Sequence, residues 1–174
     1  MKGIQKGDTI PAFSLPDQQG RVVTHEALLS SGPLVIFFYP KDDTPGCTVE
    51  ACRFRDVHES FVELGAKVVG VSADSSERHL GFAGRHQLPY TLLSDTHNEM
   101  RRAFGVPCSL GILPGRTTYV FDREGIVQHV FNAQLKNIKT CQCIRAPVLL
   151  QRKNQEGKHE RRLRQVAIRP DAVK

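Results

Sequence analysis

Leu34-Val35-Ile36-Phe37-Phe38-Tyr39 is apolar at all six positions, and this run constrains the fold more than any other feature of the chain. A strand with one face in water alternates, so an unbroken β-prone run is expected of a central strand covered on both faces. Its length suits a strand, and no apolar run approaches the roughly eighteen residues needed to cross a bilayer. Pro40-Lys41-Asp42-Asp43-Thr44-Pro45-Gly46 then forms a dense loop. From Cys47 to Leu64 the apolar residues Val49, Cys52, Phe54, Val57, Phe61 and Leu64 recur at three- and four-residue steps, which predicts one long amphipathic helix ended by Gly65.

The same reading extends in both directions. Residues 12–23 suggest two short strands around Asp17-Gln18-Gln19-Gly20, and Thr24 caps a short helix to about Ser30. Lys67–Ala73 reads as a second buried strand, followed by a helix capped within Asp74-Ser75-Ser76 and running to about His86. Thr91–Ser94 is a short strand, Asp95–Phe104 a short helix, and 106–115 a Gly/Pro-rich loop. Thr117–Asp122 and Ile126–Asn132 alternate around Arg123-Glu124-Gly125 as a hairpin. Strands alternating with helices, then a terminal hairpin, predict an α/β fold with a central mixed sheet flanked by helices and an N-terminal β-hairpin.

Charge divides the chain. Residues 135–174 carry eleven Lys/Arg against three Asp/Glu, whereas 1–134 carry thirteen against fifteen, so the net +6 belongs to the tail. A near-neutral body gives no reason to expect nucleic acid or membrane as a partner. The N-terminus lacks the apolar stretch of a secretory signal, so the chain reads as cytoplasmic. Five cysteines (Cys47, Cys52, Cys108, Cys141, Cys143) are an odd number without a signal peptide, favouring reactive thiols over a disulfide framework.

One cysteine falls in the first turn of the predicted long helix. Backbone N–H groups there lack intrahelical partners and the peptide dipoles place partial positive charge, both of which favour a thiolate, the nucleophilic form. Cys52 lies five residues on. In an intact helix that spacing puts the two Cα atoms about 8–9 Å apart, beyond the roughly 7 Å a disulfide allows. Either no disulfide forms, or the first turns unwind in each cycle.

Pro40-x-x-x-Thr44-x-x-Cys47, with an Arg far downstream, resembles the active-site signature of the peroxiredoxins. Cys47 and Cys52 in one helix resemble the Q-type branch, also called bacterioferritin comigratory protein, and Pro114–Asp122 is similar to the family's Arg-bearing strand. The resemblance runs from about Lys6 to Gln134. It implies a thioredoxin-like sandwich in which Cys47 is the peroxidatic and Cys52 the resolving cysteine. It also implies that Thr44 bonds the thiolate and the incoming peroxide, that Arg116 stabilises the anion and the departing oxygen, and that Pro40 shields the site. Peroxide is then the substrate, and thioredoxin or a similar thiol reductant the partner of a monomer. No cofactor is expected, since ligand spacings and phosphate loops are missing. Glu50, one turn from Cys47, reads either as a proton-polarising group or as a solvent-facing carboxylate.

Leu135–Lys174 departs from the family. A regular closing helix is not evident, and the segment is expected to be a basic tail, partly ordered at best. Cys141-Gln142-Cys143 with His159 is a weak zinc set, and one reading of the departure is a changed reading frame or alternative splice near 135. Two rival functions remain on sequence alone: a non-catalytic redox sensor or holdase on the same fold, and a basic-tailed binding protein whose thiols are incidental.

Overall fold

The computed structural model describes residues 3–109 and 113–132. The boundary expected at residue 134 and the tail beyond it, with Cys141, Cys143, His159 and the basic cluster, lie outside the described residues.

The apolar run becomes β3 (Leu34–Phe38), buried at every position. It occupies the centre of a five-stranded sheet. On one side it pairs in parallel with β4 (Lys67–Ser72), which pairs in parallel with β5 (Thr91–Ser94). On the other it pairs antiparallel with β8 (Thr117–Phe121), which continues antiparallel to β9 (Val127–Phe131). The sheet is therefore mixed, as the alternation of elements implies. Side chains of β3 point alternately to two cores. Val35, Phe37 and Tyr39 pack with Phe54, Phe61, Phe82 and Tyr90, while Leu34, Ile36 and Phe38 pack with Leu28, Phe104, Tyr119 and Phe121. Each such side chain contributes roughly 1.5–3 kcal/mol by leaving water.

An N-terminal hairpin of β1 (Ser14–Pro16) and β2 (Val22–Thr24) forms its own two-stranded sheet, and its turn meets the edge of β5 through an Asp17–Leu93 bridge. Its turn forms because the Asp17 carboxylate accepts from the backbone N–H groups of Gln19 (2.8 Å) and Arg21 (2.9 Å). Thr24 then caps α1 (His25–Leu29), accepting from Ala27 N–H. Ser75 caps α4 (Ser76–His86) in the same way.

Two expectations need correction. The long helix is two helices, α2 (Pro45–Asp56) and α3 (His58–Glu63), because Val57 leaves helical geometry at φ −109°, ψ 7°. Phe54 and Phe61 still reach one core, with ring centroids 6.4 Å apart. Apolar periodicity reports which face is buried, and that face survives a break in the hydrogen-bond ladder. The helix expected from Asp95 begins later, as α5 (Glu99–Phe104). Asp95 instead stands before it and accepts from the N–H groups of Met100 (3.2 Å) and Arg101 (2.8 Å). Within the loop that follows, β6 (Cys108–Ser109) pairs with β7 (Leu113–Pro114).

Candidate active site

The site lies where β3 hands over to α2. Tyr39 adds one rung beyond β3 by donating its N–H to Val71 O at 3.1 Å, and the half-buried Pro40 then turns the chain away. The loop is held at Asp42. Its backbone N–H donates to the Asp74 carboxylate at 2.8 Å, and its own carboxylate accepts from the Tyr39 hydroxyl at 2.7 Å. Burial, and after it the neighbouring Asp42 charge, holds the Tyr39 phenol protonated well above its ordinary range. His79, fully buried on α4, places Nδ1 2.8 Å from the same carboxylate and Nε2 3.2 Å from Leu93 O. A carbonyl only accepts, so Nε2 carries the hydrogen on that side. One buried polar cluster thus ties the loop to α4, β4 and β5.

Thr44 is the N-cap residue of α2 and Pro45 its first residue, a position where a missing N–H costs nothing. The Thr44 hydroxyl donates to Lys41 O at 3.1 Å and makes no cap bond, so here it is turned from the sulfur it was expected to contact. Two residues into the helix, Cys47 is buried, with only 1% of its surface exposed.

Arg116, just before β8, reaches it: Nη2 donates to Cys47 Sγ at 3.0 Å while Nη1 pairs with Glu50 Oε2. The expected Cys47–Arg116 pairing is therefore formed. Glu50 is not a solvent-facing carboxylate but a partner of the arginine, with its side chain 18% exposed. Burial pushes its carboxyl above the ordinary carboxylate range, and the Arg116 charge beside it offsets only part of that.

Cys52 is half-buried, and both it and Cys47 are free thiols. Since α2 is continuous through both, the two sulfurs belong to one intact helix.

Sequence reasoning missed three groups here. Asp42 and His79 are 37 residues apart and give no local periodic signal. Arg101 looks like a surface charge on a short helix, yet its guanidinium donates to Tyr39 O at 2.8 Å and to Gly115 O at 2.9 Å. The one available hint was its place between Met100 and Phe104, both buried.

Among the described residues no group of three His, Cys, Asp or Glu is set to hold a metal, and no helix is long and apolar enough to cross a membrane. A groove of about 750 Å³ between the N-terminal segment and β9 includes none of Cys47, Glu50, Cys52 or Arg116 in its lining.

Compared with known protein families, residues 6–130 match the model of the AhpC/TSA family. The chain belongs to the AhpC/TSA family. This AhpC/TSA chain is 52% identical over 134 residues to the chloroplastic peroxiredoxin Q of Sedum lineare, a match covering 76% of this chain and 72% of that protein. With the chloroplastic peroxiredoxin Q of Oryza sativa subsp. japonica it shares 47% over 134 residues, 76% of this chain and 61% of the other. The chain thus spans about three fifths to seven tenths of the length of the curated relatives it matches. The crystal structure of peroxidoxin BcpB from Mycobacterium tuberculosis matches the fold with a TM-score of 0.78 at 39% identity, covering 84% of this chain and 97% of that one. The resemblance to Q-type peroxiredoxins and the thioredoxin-like fold both hold, and the enzyme class is that of a peroxidase, an oxidoreductase.

Proposed function

We propose that this AhpC/TSA chain reduces hydrogen peroxide and organic hydroperoxides through a Cys47 sulfenic acid and a Cys47–Cys52 disulfide that thioredoxin or a similar dithiol reopens. The Cys47 thiolate attacks one peroxide oxygen and the O–O bond breaks. The electron pair leaves with the second oxygen, which takes a proton to become water or an alcohol, and Cys47 is left as S–OH. Cys52 displaces that hydroxyl as water, and the external dithiol returns two electrons.

The observation that carries this reading is the 3.0 Å contact between Arg116 Nη2 and Cys47 Sγ. A fixed guanidinium stabilises charge on the attacking sulfur, and its remaining donors suit an oxygen that gathers charge as it leaves. Such stabilisation grows toward the transition state and therefore accelerates the step. Glu50 holds the other end of the fork and so fixes the guanidinium's orientation. Thr44 takes up its expected role by swinging its hydroxyl from Lys41 O to the bound peroxide, and Pro40 screens the loop. The burial of Cys47 suits a small substrate that must be kept from bulk water.

Both cysteines lie on one helix, so a monomer suffices for the cycle. The plant relatives carry chloroplastic names, which argues against the cytoplasmic location expected from the N-terminus. The test is peroxide consumption with a thioredoxin reducing system. Wild type is expected to turn over many times, Cys47→Ser not at all, and Cys52→Ser to stop at the sulfenic acid. Equal consumption by wild type and Cys47→Ser removes the reading. A single oxidation with no turnover selects the sensor or holdase.

A further inference from the structure

β3 and β8 are paired as far as Phe38 with Thr117, and at the next step they part. That parting is what opens room for Cys47 between the loop and Arg116. It also ends the ladder, and beyond it the carbonyls of Tyr39 and Gly115 take their donor from a side chain rather than from a strand. Tyr39 is buried and Gly115 partly so, and carbonyls drawn out of water need a donor. The Arg101 guanidinium supplies both, with Nη2 to Tyr39 O at 2.8 Å and Nη1 to Gly115 O at 2.9 Å. These two carbonyls flank the site: Tyr39 immediately precedes Pro40, and Gly115 immediately precedes Arg116.

Arg101 is itself firmly seated. It is 6% exposed, its backbone N–H donates to Asp95, and its guanidinium carbon lies 5.6 Å from the Phe38 ring centroid. Gly115 is held from the other side as well, because its N–H donates to Pro107 O at 3.0 Å. A Cβ there would fall 2.0 Å from that oxygen, so the segment can approach only as glycine.

We propose that Arg101 is a positioning residue for peroxide reduction: its fork acts as a side-chain rung that sets the gap between the Cys47 loop and Arg116, and through it the Arg116–Cys47 contact. The inference rests on the peroxidase reading of the same site. Arg101 need not touch sulfur or peroxide. Two bonds in one rigid plane fix a spacing, which one flexible ammonium does not.

The experiment is a double-mutant cycle on the reduced full chain, reading the rate of Cys47 oxidation by hydrogen peroxide in wild type, Arg101→Met, Arg116→Met and the double variant. Since a misplacement of about 1 Å costs on the order of a hundredfold, Arg101→Met is expected to slow oxidation by about a hundredfold. In the Arg116→Met background the same change is expected to cost no more than about twofold, because the contact it serves is already gone. A folded Arg101→Met chain within about twofold of wild type overturns the proposal, as does an equal loss in both backgrounds. Should Met prevent folding, Arg101→Lys carries the same cycle, with an intermediate loss expected and a wild-type rate overturning it. The ultraviolet absorbance of the Cys47 thiolate at neutral pH gives a second readout that needs no peroxide. It is expected to fall in Arg101→Met as in Arg116→Met, and an unchanged signal also overturns the proposal. If wild type ignores peroxide the peroxidase reading fails, and the thiolate signal still decides whether Arg101 sets the Arg116 contact.

Discussion

If the proposed Cys47–Cys52 disulfide forms, oxidising the reduced chain with one equivalent of peroxide is expected to break the start of α2. The helix runs Pro45–Asp56 without interruption, and five residues along it the axial rise is about 7.5 Å with a rotation of about 140°. On a Cα cylinder of about 2.3 Å radius that gives a separation of about 8.6 Å. A disulfide closes at no more than about 6.8 Å, so the intact helix falls short by about 2 Å. Nothing in side-chain rotation removes a backbone shortfall of that size. The far end of α2 is the better anchored, since Phe54 stacks on Phe37 with centroids 4.4 Å apart. Cys47 is therefore the partner that moves, leaving its buried position and its Arg116 contact. Loss of about two turns removes roughly a sixth of the helix among the described residues. Far-ultraviolet circular dichroism should lose the signal of about two helical turns, and amide hydrogens of Thr48–Cys52 should lose protection from exchange. Cys52→Ser, oxidised in the same way, should keep both signals. A chain whose mass shows the Cys47–Cys52 bond while helix content and exchange stay as in the reduced form refutes the reasoning.

Arg116→Lys keeps the charge but not the fork that spans Cys47 and Glu50, so the rate of Cys47 oxidation is expected to fall by about a hundredfold or more, as measured by stopped flow. Glu50 has a raised folded-state value, so its contribution to stability is full below its ordinary value of 4.5 and is lost as pH rises through the folded value. The melting temperature of Glu50→Gln minus that of wild type should accordingly rise between about pH 4 and pH 7, and a difference that stays flat or falls over that range contradicts the assignment. Gly70→Ala places a methyl 2.8 Å from both the Phe37 ring and Leu92 Cδ2, and urea unfolding should show a loss of about 1–3 kcal/mol from overpacking.

Much of this molecule is local, and what is local can be read from letters. The buried strand at Leu34, the turn at Asp17, the caps at Thr24 and Ser75 and the strand at Thr91 each follow from residues within a few positions of one another. So does the placing of Cys47 at a helix start, because strand, proline-bearing loop and helical period are contiguous there. Arg116 could be singled out only through the resemblance to peroxiredoxins, since a lone arginine before a strand is ordinarily a solvated charge. Apolar spacing alone predicted one helix through Val57, because burial of Phe54 and Phe61 on a common face says nothing about the dihedral between them.

What tertiary structure decided is the set of polar contacts between distant segments. Asp42 meets His79, Glu50 meets Arg116, and Arg101 meets the carbonyls of Tyr39 and Gly115 only because five strands stack in one order and two of them diverge at one point. Hydrophobic periodicity encodes which face of an element leaves water. It carries no information about which donor will lie opposite which acceptor once those faces meet, and that pairing is where the chemistry of this chain is set.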